Sequence, residues 1–481
     1  MSNRPVVVGL GTIQQKGNYN ELDEALFLMD KSFKKAIIDC TNSDITEYID
    51  EVRIPKGFWR YRDPGKWVAD NNNIKSVKTI VSKVGILQQN LINTACNKIK
   101  NGEIKASLIL GGESRFKILR SSIENKDYIE TPLNTNPDIY EKSPEKLQLD
   151  VEEKELGSMA VGYYAILESA FRHMLQNNHD DHHNYLCDVY SGYSEIAANN
   201  KDGWIEQSID KEDIKFESKK NTKQAFPYNK YHCTSWNVNQ ACSIIICSEG
   251  VADKLDIPLD KRVYPLASSE NNHMISTLQR PNLIEPAGMQ LAAKFILDIC
   301  SKNNLVPNIY DLYSCFPVAI QMFAKSLNLN NIKDKTVTGA MPFAGGPLNS
   351  YVLHSTAKLI EKLRENNGIG IVTGVSGMMT KQSYALWSKN KEIDFIHKDV
   401  TKDAETIEKA LELSEFEDGE GKIVGYTVIS KKDINKAIIY IETIDNKRKL
   451  ITSSDKTIID SMEKNEWVGK KIKFKESQLV S

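Results

Sequence analysis

Gly85-Ile-Leu-Gln-Gln-Asn opens a stretch of helical periodicity that ends at Asn101-Gly102, and an apolar run, Ser107-Leu-Ile-Leu, then leads into Gly111-Gly-Glu-Ser-Arg115. The same order returns later in the chain. Gly346-Pro-Leu-Asn-Ser-Tyr opens a second helical stretch ending at Asn367-Gly368, followed by Ile369-Gly-Ile-Val and the turn Thr373-Gly-Val-Ser-Gly-Met-Met379. Apolar positions at helical spacing, Asn-Gly as a stop signal, and a short continuous apolar run together specify a helix feeding a buried strand. Two unrelated α/β units would produce the same string. The nearly equal lengths favour one α/β fold built from two related halves.

Outward from this pair, Val6–Gly11 reads as a buried strand and Glu21–Cys40 as an amphipathic helix. Helices are expected over Ala160–Gln176 and Glu285–Cys300, and a strand over Ile309–Phe316. Residues 121–157 are polar and punctuated by proline, which marks an insertion rather than core. After about residue 395 the texture changes: an acidic stretch over 401–420 precedes short β-like runs at Ile423–Ile429, Ala437–Thr443, Leu450–Thr452 and Trp467–Phe474. Short strands spaced by turns suggest a small β-barrel. The expected organisation is a body over 1–395, with an N-terminal half to about 255 that carries an insertion at about 115–225, and a C-terminal half from 256. A linker or helix over 396–420 and a barrel-like domain over 421–481 follow.

Composition narrows the function. With 62 basic and 64 acidic residues the formal charge is −2, which gives no electrostatic footprint for nucleic acid. No run of 18 apolar residues offers a membrane span, and the start is too weakly apolar for a signal peptide, so a cytoplasmic protein is expected. Eight cysteines without a Cys-x-x-Cys pair do not make a disulfide framework.

Several stretches resemble the thiolase superfamily, in particular the sterol-carrier-type thiolases and thiolase-like proteins with an additional C-terminal domain. They are Val7-Val-Gly-Leu-Gly-Thr, Leu110-Gly-Gly-Glu-Ser, Pro227-Tyr-Asn-Lys-Tyr-His-Cys-Thr-Ser-Trp-Asn-Val-Asn-Gln-Ala, Asp311-Leu-Tyr-Ser-Cys-Phe-Pro, Phe343-Ala-Gly-Gly-Pro-Leu-Asn-Ser-Tyr and Thr373-Gly-Val-Ser-Gly-Met-Met. Their joint order over roughly residues 1–390 carries the resemblance. It implies a five-layered αβαβα duplicated fold with two central helices, here 85–101 and 346–366, plus an OB-like barrel. It also implies a homodimer paired through a strand of the N-terminal half, an acyl-CoA or related thioester as small-molecule ligand, and a place in lipid metabolism.

A thiolase needs a cysteine thiolate at a helix N-terminus, where the dipole lowers its pKa, a histidine that activates it, and a second cysteine as acid and base. The resemblance puts these roles at Gly85, Gly346 and Thr373, none of which can perform them. Tyr313 and Ser314 stand at the oxyanion segment. Ordinary thiolase chemistry is therefore not expected, and the replacement of cysteine and histidine by glycine is expected to leave room for a ligand. Candidate pocket residues are Tyr313, Ser314, Cys315, Asn349 and His354; Arg60, Arg62 and Lys66 are weak candidates for coenzyme A phosphates, against a reading of that loop as plain surface or interface. Cys96 reads as core. His354 reads as a satisfied core histidine, and His232 as strand packing. His179-Asp-Asp-His-His183 joins two expected helices and reads as a solvated helix start, so no metal is expected, nor any tightly bound cofactor. The functional expectation is an acyltransferase-like protein binding acyl-CoA without the usual catalytic residues. A noncatalytic scaffold and a true acetyl-CoA acetyltransferase with relocated groups stay open beside it.

Overall fold

A computed structural model describes residues 2–431 and 434–480. Two mixed sheets dominate it. The N-terminal sheet is six-stranded, in the order Pro5–Gln14, Asn239–Ser248, Ala106–Ser114, Ile49–Pro55, Lys78–Ser82, Ile139–Glu141. The C-terminal sheet is five-stranded, in the order Ile309–Asp311, Ile369–Ser376, Lys381–Ser388, Tyr264–Asn271, Ile396–Asp399. The helices Gln88–Lys100 and Tyr351–Glu365 pack against strands of both sheets and against each other. Ala25–Cys40 covers the outer face of the first sheet and Ala287–Lys302 that of the second, which completes five αβαβα layers.

A helix held between two sheets has no solvent face, so its polar side chains must be satisfied inside. In the first central helix Asn90 and Asn93 donate to the Glu270 carboxylate of the opposite sheet, at 2.7 and 3.0 Å. The helices start later than the sequence suggests, at Gln88 and Tyr351, because Gly85 has φ +111° and Pro347 follows Gly346. The strand expected over Ile309–Phe316 stops at Asp311, since Leu312–Phe316 form the loop that leads to the Pro317–Ser326 helix.

The insertion is folded. It contributes the three-residue strand Ile139–Glu141 and the helices Asp150–Leu156, Val161–Met174 and His179–Ala198. Ile139–Glu141 lies parallel to Lys78–Ser82 and occupies the sheet edge on that side. A sheet continued across a two-fold axis through Lys78–Ser82 is thereby blocked.

Near the C-terminus five strands close into a barrel: Gly419–Lys431, Ile434–Thr443, Arg448–Ser453, Gln478–Val480 and Lys471–Lys475, with the first two also paired to each other. It has its own core, including Ile423, Tyr426, Ile439, Ile451 and Phe474. The outward-facing Ile438, Tyr440 and Leu450 pack into the core of the body instead. Docking uses the insertion, where Ala225 pairs with Ile429, the Tyr440 hydroxyl donates to Glu152 at 2.7 Å and Arg172 reaches Glu466 and the Tyr426 hydroxyl, and also the C-terminal half, where Arg448 Nη2 donates to the Pro281 carbonyl at 2.9 Å. Among the described residues no helix is long and apolar enough to cross a membrane.

Candidate functional site

Three parallel strands, Ile49–Pro55, Lys78–Ser82 and Ala106–Ser114, end near the start of both central helices, the place where open α/β sheets bind ligands. Backbone and side-chain hydrogen bonds draw the expected positions together there. The Lys56 N–H donates to the Ser82 carbonyl at 2.7 Å, and Asn349 Nδ2 reaches the same carbonyl at 3.4 Å. The Gly85 N–H donates to Ser376 Oγ at 3.1 Å, which ties the first helix entry to the Thr373–Met379 turn. The Tyr313 N–H donates to Thr373 Oγ1 at 2.8 Å. Ser314 Oγ accepts from the Met341 N–H, and the Cys315 carbonyl accepts from both the N–H and the hydroxyl of Thr234.

Asp311 organises this loop. Its fully buried carboxylate accepts from the hydroxyls of Thr336, Thr338, Tyr351 and Ser355 and from the N–H groups of Val337 and Thr338. Enough donors surround one charge to offset its desolvation.

The site is filled rather than roomy, which corrects the sequence expectation. A Cβ placed on Gly85 would lie 2.8 Å from Ser143 Cβ, and the positive φ there disfavours any L side chain. Ser143 comes from the insertion; its hydroxyl donates to Glu145, and Lys381 Nζ donates to it at 2.8 Å. Lys381 is itself buried and also reaches Glu145 at 3.3 Å. A Cβ on Gly346 would lie 2.1 Å from Thr234 Cγ2. The helix N-termini are less open than expected too, since the Val352 N–H is taken by Gln88 Oε1 at 2.7 Å.

None of the remaining candidates is activated. Burial pushes the Cys315 thiol up to about 12 and raises that of Cys96 further. His354 is not a satisfied core histidine: its Nε2 has no partner, and burial lowers its pKa to about 3, so the ring is neutral. It lines a cavity of about one water's size with Gln240, whose Oε1 is likewise unpartnered. Arg60, Arg62 and Lys66 are exposed; Lys66 pairs with Asp70 on its own helix and Arg62 points to the Asn134 carbonyl. The aromatics of that loop hold it in place. Trp59 donates to the Gly112 carbonyl at 3.0 Å, and Tyr61 to Glu24 at 2.6 Å.

His232 lies in a 3₁₀ turn, Lys230–His232, not in a strand. The His179–His183 run does start a helix, capped by Asn178, with Asp180 and Asp181 exposed as expected, but its histidines are not solvated alike: His182 is buried against Glu168 at 2.7 Å and His179 stacks on Phe226. Sequence reasoning also missed Ser143, Lys381 and Thr234, because no motif announces a side chain that fills a vacated volume. Glu113, in Leu110-Gly-Gly-Glu-Ser, was noticed only for its glycines. It is buried, accepts the Phe58 N–H at 2.7 Å, and burial raises its pKa to about 7, while burial lowers that of nearby Lys56 to about 8.

Comparison with known proteins is one-sided. No protein-family model and no curated protein matches the sequence. Solved structures do match. The SCP2-thiolase-like protein type 1 of Mycobacterium smegmatis, described as monomeric, superposes with a TM-score of 0.82 at 21% identity, covering 100% of this chain and 99% of that one. Acat5 thiolase from Ascaris suum, solved with coenzyme A, gives 0.54 at 15% identity over 80% of this chain and 100% of its own. The dimeric peroxisomal thiolase of Saccharomyces cerevisiae gives 0.53 at 16% identity over 81% and 98%. The layer order, the paired central helices and these superpositions agree: the chain has the thiolase fold, extended by a C-terminal β-barrel.

Proposed function

We propose that the protein binds an acyl thioester, CoA or acyl-CoA, at the junction of the two central helices and performs no cysteine-based thiolysis or condensation. One observation carries this reading. Gly85, Gly346 and Thr373 hold the three catalytic positions of the thiolase resemblance, yet Ser143 and Thr234 fill the first two volumes and the Thr373 hydroxyl is bound to the Tyr313 N–H. A covalent route needs a nucleophile and a base there, and neither is present.

What supports a thioester ligand is the polar groups gathered at this junction, Ser376 Oγ on the Gly85 N–H, Asn349 Nδ2 on the Ser82 carbonyl and the Tyr313 N–H on Thr373 Oγ1, which a ligand could re-pair, together with coenzyme A in one structural neighbour. Entry requires the Lys142–Leu147 segment, latched by Lys381, to lift away from Gly85. A homodimer, expected from the resemblance, must use a surface other than the Lys78–Ser82 edge.

Calorimetry with acetyl-CoA and with CoA, beside an assay of acetoacetyl-CoA plus CoA and mass spectrometry for an acyl-protein adduct, tests the reading. Saturable binding with neither turnover nor adduct is expected. Turnover abolished by Cys315→Ala or Cys96→Ala would establish a relocated nucleophile instead, and absence of binding would remove the thioester from the proposal.

A further inference from the structure

Among the described residues, one cluster of side chains that could hold a metal ion lies apart from the junction of the central helices. His183 and Cys187 are four residues apart on the His179–Ala198 helix and so share a face. His232, from the turn that follows the insertion, meets them there. One potential ligand atom from each of the three lies within 4.8 Å of the other two. Cys187 Sγ and His232 Nε2 are 3.7 Å apart. Two ligands on a tetrahedral zinc, at about 2.3 Å for sulfur and about 2.0–2.1 Å for nitrogen, stand about 3.6 Å apart. His183 Nε2 is buried without a hydrogen-bond partner, which leaves it free to act as a ligand.

The geometry points to a three-ligand site, His183–Cys187–His232, for a borderline-to-soft divalent transition metal, with zinc as the first candidate. The donor set of two imidazoles and one thiol selects against magnesium and calcium, which take oxygen ligands. Binding replaces the Cys187 S–H bond by a metal–sulfur bond and releases one proton to solvent; no electron is transferred.

The neighbours are mixed. Lys215 lies close enough to favour the thiolate and disfavour a further cation, whereas the buried Glu168 carboxylate beside His182 favours a cation. Metal at His232 Nε2 also needs the ring proton on Nδ1, where the Asn229 N–H now makes a 3.3 Å contact. That contact is lost on binding. A structural zinc is worth several times one long hydrogen bond, so the balance favours the metal. The site would clamp the insertion helix to the segment that carries Thr234, two residues beyond His232.

The test uses the untagged full-length protein, stripped with a chelator and titrated with Co²⁺. One equivalent per chain is expected, with a thiolate-to-cobalt charge-transfer band that Zn²⁺ displaces. The band should vanish in Cys187→Ser and persist in Cys233→Ser. X-ray absorption on the zinc-loaded wild-type protein needs no variant, and should give one sulfur and two imidazole nitrogens in the first shell. No cobalt uptake, a band that survives Cys187→Ser, or a zinc shell without sulfur would each overturn the assignment.

Discussion

Gly346 offers a clean measurement of how firmly the site is closed. Its φ lies outside the left-handed region, so replacing it by alanine probes space and not backbone strain. The added Cβ would sit 2.1 Å from Thr234 Cγ2 and 3.1 Å from Met341 Cε. Thr234 has little freedom to yield. Its χ1 is restricted by β-branching, and its hydroxyl is fixed by the 2.9 Å bond to the Cys315 carbonyl. Overpacking of this kind costs about 1–3 kcal/mol. Thr234→Ser removes Cγ2 and keeps the hydroxyl, at a cost of about 1 kcal/mol for one methyl.

If the two side chains compete for one volume, Gly346→Ala/Thr234→Ser should be nearly as stable as Thr234→Ser alone. The coupling energy is then about 1–3 kcal/mol in favour of the pair. Urea unfolding of the four proteins, at unchanged m-values, reads it directly. Effects that add to within about 0.5 kcal/mol would show that Thr234 does not fill the volume beside Gly346. Gly346→His should be tolerated less well still, because imidazole needs far more room than the methyl of alanine.

Three further outcomes follow from the same region. Glu113 titrates near 7 when folded against an ordinary 4.5, so its contribution to stability is complete below about pH 4.5 and is lost as pH rises through 7. The loss is about 3 kcal/mol, and Glu113→Gln should remove that component from the pH dependence of unfolding between pH 5 and 7.5. Lys381→Met should free the Lys142–Leu147 segment, seen as faster proteolysis within it and tighter binding of acetyl-CoA; unchanged proteolysis would mean the latch is not Lys381. Iodoacetamide near pH 7 should modify neither Cys315 nor Cys96 at the rate of a low-pKa thiol, since burial raises both; rapid labelling mapped by mass spectrometry would refute this.

How much of this the sequence disclosed depends on what carried the signal. The duplicated glycine–helix–strand order, together with the resemblance, predicts the two central helices, because a helical period is local and written in the chain. Their starts were misplaced by three and five residues, since glycine and proline mark a turn without saying on which side the helix begins. The barrel strands were legible for the same reason as the helices: alternation is local. Pairing is not. Nothing in Ile139-Tyr-Glu141 announces that it covers Lys78–Ser82, and nothing in Ser143 or Thr234 announces that it occupies the volume beside Gly85 or Gly346, far away in the chain. The His183–Cys187 spacing puts both side chains on one helix face, yet its partner His232 lies 45 residues beyond the cysteine, further than any local pattern reaches.

Several features around Gly85 share one source. The insertion supplies Ser143 against Gly85 and Glu145 against Lys381. It also supplies the strand that covers the Lys78–Ser82 edge. Its helices then hold the barrel, through Glu152 to Tyr440 and Arg172 to Glu466 and Tyr426. Arg172 is fully buried, so removing Glu466 would leave a charge without its carboxylate, a loss of several kcal/mol. A perturbation of the barrel therefore reaches the Gly85 pocket by way of the insertion, with no direct contact between the two required. Coupling of this kind is reciprocal: a ligand that must lift Lys142–Leu147 to bind should loosen the barrel as it does so. Hydrogen exchange in Gly419–Lys431, faster with acetyl-CoA than without it, is the expected sign, and identical exchange in the two states would separate the barrel from the site.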